Sequence, residues 1–370
     1  MKVLHISDSH QWSGGTAQLL LLADCLRKNG VENYIACPAN GELFKRSVLK
    51  NFPLIDFSPK SKMDMREALK YSKIFKQFKF DVVHAHHPKA HNVALLAKLF
   101  SAHKPVLIVS RRVAYKLPNN ILARWKYKTK LVDGYIAVCD YVKNMLIAYG
   151  IEENRVYTVY SGVDKNKFFK REKDIDFKKS LGLNKDDFII SLIGNYSMDK
   201  GQHILISALK ILKDKKYKFK VIFAGGKTDS EDLKELFKKN LPLEYGLFLG
   251  LRNDVDKILN ITDISVNPSM KEALVGTLRE SMSCGVASIA SDVGGNSELL
   301  KDNINGYLIK PGDYEELSAK IENLIVDENL RKTFSENAVK AIDENFTVEK
   351  MAENTMNIYI KYCDRKRSQK

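Results

Sequence analysis

The sequence predicts an α/β protein made of two Rossmann-like halves, each a parallel sheet flanked by helices. Short apolar runs of strand length alternate with amphipathic stretches of helical length along the chain. The alternation is broken once, by lysine-rich, charge-mixed sequence from Lys165 to Lys185, the composition of a linker and an entry helix. At 370 residues the chain is also too long for one ordinary core and suits two domains. The expected domains are residues 1–168 and 169–347, with a last helix at about 348–364 crossing back to the first domain.

Composition narrows the class. The chain is 44% hydrophobic and 28% charged, as in soluble globular proteins. No stretch approaches the ~18–20 consecutive apolar residues of a membrane-spanning helix. The opening MKVLHISDSH lacks the apolar core and cleavage site of a signal peptide. Cys25, Cys37, Cys139, Cys284 and Cys363 are scattered and form no CxxC; they read as reduced thiols of a cytoplasmic protein. Residues 1–170 hold 28 Lys and Arg against 13 Asp and Glu, whereas residues 171–370 hold 32 of each. That asymmetry points the first half at a polyanion: anionic lipid, phosphorylated glycan or nucleic acid. A merely soluble lysine-rich surface is the alternative.

In the first half, Val3-Leu4-His5-Ile6-Ser7 is an apolar run that predicts a buried strand. A helix follows, with Leu19 to Leu22, Cys25 and Leu26 on its apolar face. Gly14-Gly15 between them lets a ligand approach the backbone and aims the N–H groups of the helix start at an anion; a tight turn is the plainer reading. Strands are expected at 34–37, 81–86, 105–109, 135–138 and 156–159, and helices at 65–78, through Leu95-Leu96, at 121–130 and at 141–149. His84-Ala85-His86-His87-Pro88 closes a strand whose alternation sends His84 and His86 to one face. Histidines suggest metal, but no cysteine or carboxylate accompanies them at ligand spacing, and His86 reads as a polar residue lining a cleft. Arg111 and Arg112, just past a strand, with Lys116 beyond, suit phosphate or carboxylate recognition; salt bridges are the competing reading. Residues 121–130, ILARWKYKTK, mix basic residues with aromatics, as a membrane interface favours. A solvated helix with a buried Trp125 is the alternative.

In the second half, strands are expected at 188–193, 219–224, 247–250 and 264–266. The first ends at Gly194-Asn195, after which Lys200-Gly201 opens a helix at 203–212. Asp254 reads as a helix cap. Ser269 to Gly306 then carries Glu272 and Glu280, a small-residue helix stopped by Gly285, an apolar strand, and a Gly294-Gly295 turn leading to Glu298. Loop, helix, strand and glycine turn in that order build the C-terminal edge of a parallel sheet, where α/β proteins place ligands. Helices at 314–326, 330–345 and the crossing helix complete the chain. Asp174-Ile175-Asp176 and Asp254-Val255-Asp256 lie in a charged linker and at a helix start, not at a strand end, so they read as a solvated segment and a cap rather than metal sites.

Taken together, these residues resemble the retaining glycosyltransferases of family 4. The resemblance rests on Ser13-Gly14-Gly15, Asp81 to His86, Ser161-Gly162-Val163-Asp164, Lys200-Gly201, Phe248 to Val255, and Glu272 to Glu280 followed by Cys284-Gly285. It implies the GT-B fold, two Rossmann-like domains with parallel sheets facing a cleft. It also implies a nucleotide-diphosphate sugar bound mainly by the C-terminal domain and an acceptor bound mainly by the N-terminal one. By the same resemblance Glu280 accepts from the ribose hydroxyls and Glu272 contacts the donor sugar. Gly276, Thr277 and Leu278 start the helix that meets the diphosphate, and Lys200 neutralises the leaving phosphate. Gly14 and Gly15 close on that phosphate, Leu249 to Arg252 meet the base, and His86 lies near sugar and acceptor. The family commonly has an arginine where this chain has Asn195, so one phosphate clamp is lost unless Arg111, Arg112 or Arg252 reaches in.

The expected activity is transfer of a hexose, with retention, from a nucleotide sugar, UDP-linked in preference to GDP-linked. The expected acceptor is an anionic membrane-borne glycan such as lipopolysaccharide core, O-antigen or glycolipid. Same-face attack, with the departing phosphate taking the acceptor's proton, requires no protein nucleophile and no cofactor or metal. The expected location is cytoplasmic, peripheral to the inner membrane surface, with no nucleic-acid partner. Two alternatives are a nucleotide-sugar epimerase of the same fold and a non-catalytic polyanion-binding protein. The first lacks the Glu272–Glu280 pair in known members, and the second needs basic residues interleaved with exposed aromatics on a strand platform.

Overall fold

The computed structural model describes residues 1–368 and divides into two compact units. One comprises Met1–Gly162 with Val348–Lys370, the other Val163–Thr347. The first unit holds strands β1 (Lys2–Ile6), β2 (Glu32–Cys37), β3 (Leu54–Asp56), β4 (Val82–Ala85), β5 (Val106–Arg111), β6 (Gly134–Ala137) and β7 (Val156–Thr158). They form one parallel sheet in the order β3-β2-β1-β4-β5-β6-β7. The order reverses at β1–β4, and this switch point is where such a sheet opens to a ligand. The register there sets His5 beside His84.

The second unit repeats the plan with β8 (Ile189–Ile193), β9 (Lys220–Ala224), β10 (Gly246–Phe248), β11 (Ile264–Asn267), β12 (Ala287–Ser291) and β13 (Tyr307–Ile309). Its sheet runs β10-β9-β8-β11-β12-β13, all parallel, with the switch at β8–β11. Strands β8, β11 and β12 are buried along their whole length, which is why they read as unbroken apolar or small-residue runs.

The units exchange chain at adjacent residues. Gln18 brackets Gly162 with both ends of its amide, donating to the carbonyl at 2.8 Å and accepting from the N–H at 2.9 Å. The next residue, Val163, donates to Phe346 O at 2.8 Å within the second unit. The division therefore falls after Gly162 rather than after residue 168. The last helix, Val348–Arg367, belongs to the first unit. It lays Met351, Ile358, Tyr359 and Tyr362 against Val3, Val82, Val106 and Ile108 of the sheet.

Not anticipated were the helices Glu42–Leu49 and Glu231–Lys238, the short helix Asn296–Leu299, the 3-10 turns Glu153–Arg155, Met198–Lys200 and Leu243–Tyr245, and the edge strands β3 and β13. The helices Glu42–Leu49 and Glu231–Lys238 are eight residues each and bury two side chains apiece, Leu43 and Ser47 in one and Leu233 and Phe237 in the other, short for elements read from sequence. Trp125 is 40% exposed and Tyr127 is the buried aromatic of its helix, which corrects the alternative with a buried Trp125. Asp254 occupies an N-cap position but makes no side-chain cap; its carboxylate instead accepts from Arg252 Nε and Nη2 at 2.8 and 2.6 Å.

Candidate active site

In the second unit, the loops after β8, β11 and β12 interlock at one sheet edge. Met270 N donates to Asp199 O at 2.8 Å and Gly295 N to Ala273 O at 2.7 Å. Two left-handed glycines make the fit possible. A Cβ on Gly201 (φ 72°) would stand 2.0 Å from Pro268 O, and one on Gly294 (φ 60°) 2.2 Å from Glu272 O, so no other residue serves at either turn. Buried Asn296 accepts from Val275 N at 3.3 Å and donates to Ser291 O at 3.0 Å. Clamped in this way, Glu272 meets Lys200: Nζ lies 2.5 Å from Oε1. The lysine stem runs over Gly194, 3.6 Å from where a Cβ would be.

The same loop feeds the helix Gly276–Ser283, whose N-cap residue, Val275, offers no side-chain acceptor. Its first N–H groups are therefore uncapped, an arrangement that favours an anion. Thr277 Oγ1 is held by Asn267 Oδ1 at 2.9 Å. Glu280, one turn in, is half-buried. Burial pushes its carboxyl up to about 7, against the pull of the Arg279 and Lys167 charges. A carboxylate at this position accepts hydrogen bonds without competing strongly for protons only above neutrality.

Asn195 is placed differently from what a ligand contact needs. Its Oδ1 accepts from Gly226 N at 2.8 Å, and its carbonyl accepts from Gln202 Nε2 at 3.2 Å; the side chain closes the turn after β9. Arg252 is committed to Asp254. Leu249 extends the sheet, its N–H donating to Phe223 O at 2.9 Å. Neither Asp-x-Asp triplet offers a free pair. Asp174 caps Phe177 N at 2.9 Å, and Asp256 pairs with Arg171 at 3.1 Å.

In the first unit, Gly14 and Gly15 open the helix Gly14–Lys28, with Ser13 and Thr16 forming a reciprocal capping box. Thr16 N–H is thus already satisfied, leaving the glycine N–H groups for a ligand. Gly15 lies beside His87, 3.4 Å from Nε2 to its Cβ position, and His87 Nδ1 meets Ser7 Oγ at 3.0 Å. His86 is 4% exposed, and His87, beside Gly15, is the more accessible ring. His86 Nε2 is 3.1 Å from His5 Nδ1, while His5 Nε2 reaches Asn33 Oδ1 at 3.0 Å. His84 joins Tyr359 OH at 2.6 Å and Ser110 Oγ at 2.7 Å. Burial holds His5 down to about 4 and keeps His84 and His86 well below the usual imidazole range. All three are neutral at pH 7.

These three rings form the one grouping among the described residues whose ligand atoms lie within 4.8 Å of one another. As a donor set it fits a metal poorly. Every ring nitrogen but His86 Nδ1 already has a hydrogen-bond partner. Arg111 contacts Tyr127 OH and Tyr115 O, and Arg112 Nη1 donates to Ser161 Oγ at 2.9 Å. Lys116 is exposed.

Comparison with known proteins identifies the chain. The family description "Glycosyltransferase Family 4" matches residues 12–167, and "Glycosyl transferases group 1" matches residues 173–341. The uncharacterized glycosyltransferase MJ1178 of Methanocaldococcus jannaschii is 32% identical, over 77% of this chain and 76% of that one. This chain belongs to the family 4 glycosyltransferases. The UDP-Gal:alpha-D-GlcNAc-diphosphoundecaprenol alpha-1,3-galactosyltransferase of Escherichia coli is 24% identical over 80% of this chain and 79% of its own. Among solved structures, Anabaena HepE in complex with UDP aligns with a TM-score of 0.83 at 22% identity, covering 97% of this chain and 99% of that one. The glycosyltransferase therefore has the GT-B fold.

Sequence reading of this glycosyltransferase missed several residues that shape the site. His5 is signalled only by the pairing of β1 with β4. Asn267 and Asn296 end strand β11 and open the short helix Asn296–Leu299, positions legible only once the strand ends are fixed. Arg279 sits within the Glu272–Glu280 stretch itself, on the buried side of the helix, where an apolar residue would ordinarily be expected.

Proposed function

We propose that this glycosyltransferase moves a hexose, with retention of anomeric configuration, from a UDP-sugar to a lipid-linked glycan at a membrane surface, without a metal. The observation that carries the reading is the Lys200–Glu272 pair, set beside an uncapped helix start with Glu280 one turn in. Lys200 and the helix N–H groups stabilise negative charge growing on the leaving diphosphate. Glu280 accepts from the ribose hydroxyls. Glu272, neutralised by Lys200 before the donor arrives, positions sugar hydroxyls rather than attacking carbon. Same-face attack then needs no protein nucleophile, and a lysine takes the place of a cation at the phosphate. UDP is favoured because HepE was solved with UDP and the E. coli relative is named for UDP-Gal.

The lipid-linked acceptor rests on two supports. One is the diphosphoundecaprenol acceptor in the name of the E. coli relative. The other is the helix Ile121–Lys128, which exposes Ile121 (85%), Leu122 (69%) and Trp125 (40%) beside Arg124, Lys126 and Lys128. Apolar and aromatic side chains flanked by cations suit an anionic headgroup layer. No helix among the described residues is long and apolar enough to cross a membrane; the contact proposed here is peripheral, at the cytoplasmic face.

A thermal-shift panel of UDP-, GDP-, ADP- and dTDP-sugars tests the donor. A ligand at 100 times its dissociation constant stabilises by ~2.7 kcal/mol, and silence across the panel would sink the assignment. Loss of turnover in chelator, restored by magnesium or manganese, would overturn the metal-free clause. NMR of the product's anomeric proton decides retention. Sedimentation with anionic vesicles should weaken with salt and with Leu122→Glu; binding unaffected by both would remove the membrane clause.

A further inference from the structure

We infer that Arg279 supplies the guanidinium for the donor's diphosphate that Asn195 does not, working with the uncapped start of the helix Gly276–Ser283. The inference rests on the nucleotide-sugar reading above. Arg279 is 3% exposed, and its Nε is buried without a hydrogen-bond partner. Its Nη2 lies 3.9 Å from the Cβ position of Gly276, so the guanidinium folds back toward the first turn of its own helix, as side chains three residues apart do. The other arginines of this unit are engaged: Arg171 by Asp256, Arg252 by Asp254, and Arg331 by the carbonyls of Leu324 and Ile325.

A buried, unpaired cation is costly to the fold, and nature keeps such a group paired or supplies its counter-ion from outside. The Glu280 charge favours its ionised form, but Arg279 is in no ion pair among the described residues. Burial accordingly pulls the guanidinium down to about 10. Directly beside it are the free N–H groups after Val275, which also call for an anion. Two independent features, one backbone and one side chain, thus ask for negative charge at one spot. Meanwhile the side chain at 195 is occupied by the Gly226 turn. A planar fork suits a diphosphate better than a point charge does.

The test separates diphosphate recognition from nucleoside recognition. UDP and uridine are titrated calorimetrically into the wild type, Arg279→Leu and Asn195→Arg. Arg279→Leu should weaken UDP binding about 10- to 100-fold while changing uridine binding less than about threefold. The apo melting temperature should stay level or rise, because an unpaired buried charge is replaced by an apolar group. An unchanged UDP-to-uridine affinity ratio would overturn the assignment, as would a fall in apo stability with that ratio intact. Asn195→Arg gives a second readout, needed if Arg279→Leu does not fold. With the clamp already supplied it should tighten UDP less than about threefold, and a gain above about tenfold would overturn the inference. If the wild type binds neither UDP nor uridine, the donor reading falls and this one with it; UDP binding indifferent to Arg279→Leu removes this one alone.

Discussion

The pH dependence of nucleotide binding follows from Glu280. Its carboxyl is raised to about 7 by burial, whereas ribose hydroxyls donate to a carboxylate and favour the ionised form. With that value the ionised fraction climbs from about 0.1 at pH 6 to about 0.9 at pH 8, so UDP affinity should rise about tenfold across the interval. The terminal phosphate of UDP also titrates near pH 6, so the measurement is a ratio, wild type against Glu280→Gln, by calorimetry at pH 6, 7 and 8. The ratio should change by about tenfold; a flat ratio refutes the assignment of Glu280 to the ribose. Stability gives an independent check with the opposite sign. The folded-state value lies above the unfolded one, so the folded chain holds its proton while the unfolded chain releases it. Stability should therefore decline as pH rises from about 4.5 to about 7 and level off above, by up to about 3 kcal/mol. Glu280→Gln should remove that decline.

Three further outcomes follow. Lys200→Ala should lower kcat about 10²- to 10³-fold with a UDP-sugar donor; a full-rate variant would remove Lys200 from leaving-group stabilisation. Gly294→Ala should cost about 3 kcal/mol or more, combining left-handed strain with a backbone clash against Glu272, and a denaturation midpoint within error of wild type would contradict the interlocked loops. The neutral histidines should make the first unit acid-labile. For His5 the folded-state value lies below the unfolded one, so stability is lost as pH falls from about 6.5 toward about 4, by roughly 3 kcal/mol from this residue alone. Both tryptophans, Trp12 and Trp125, belong to the first unit, so their fluorescence during denaturant unfolding at pH 7 and pH 5 reads that loss; equal midpoints would refute it.

The strands were legible because fully buried parallel strands are nearly continuous apolar or small-residue runs, as in β8 and β12. The short edge strands β3 and β13 and the two-contact helices lacked that signal. At the site, a residue could be read when its role follows from its neighbours in sequence. Glu272, Glu280, Lys200 and Gly294 carry their spacing with them. A residue whose role depends on a partner from another strand could not. His86 reads as a cleft-lining histidine until the pairing of β1 with β4 brings His5 against it. Asn195 and Arg279 show the same limit together. As a letter, Asn195 is a missing arginine. In the fold its amide oxygen fastens the turn at Gly226, a hydrogen bond to a backbone donor that an arginine, having no acceptor, could not make. Position 195 therefore serves the sheet edge, and the guanidinium proposed for the diphosphate belongs to the helix Gly276–Ser283. There it costs stability until the anion arrives, so part of the donor's binding energy is recovered from a charge the empty fold leaves unpaired.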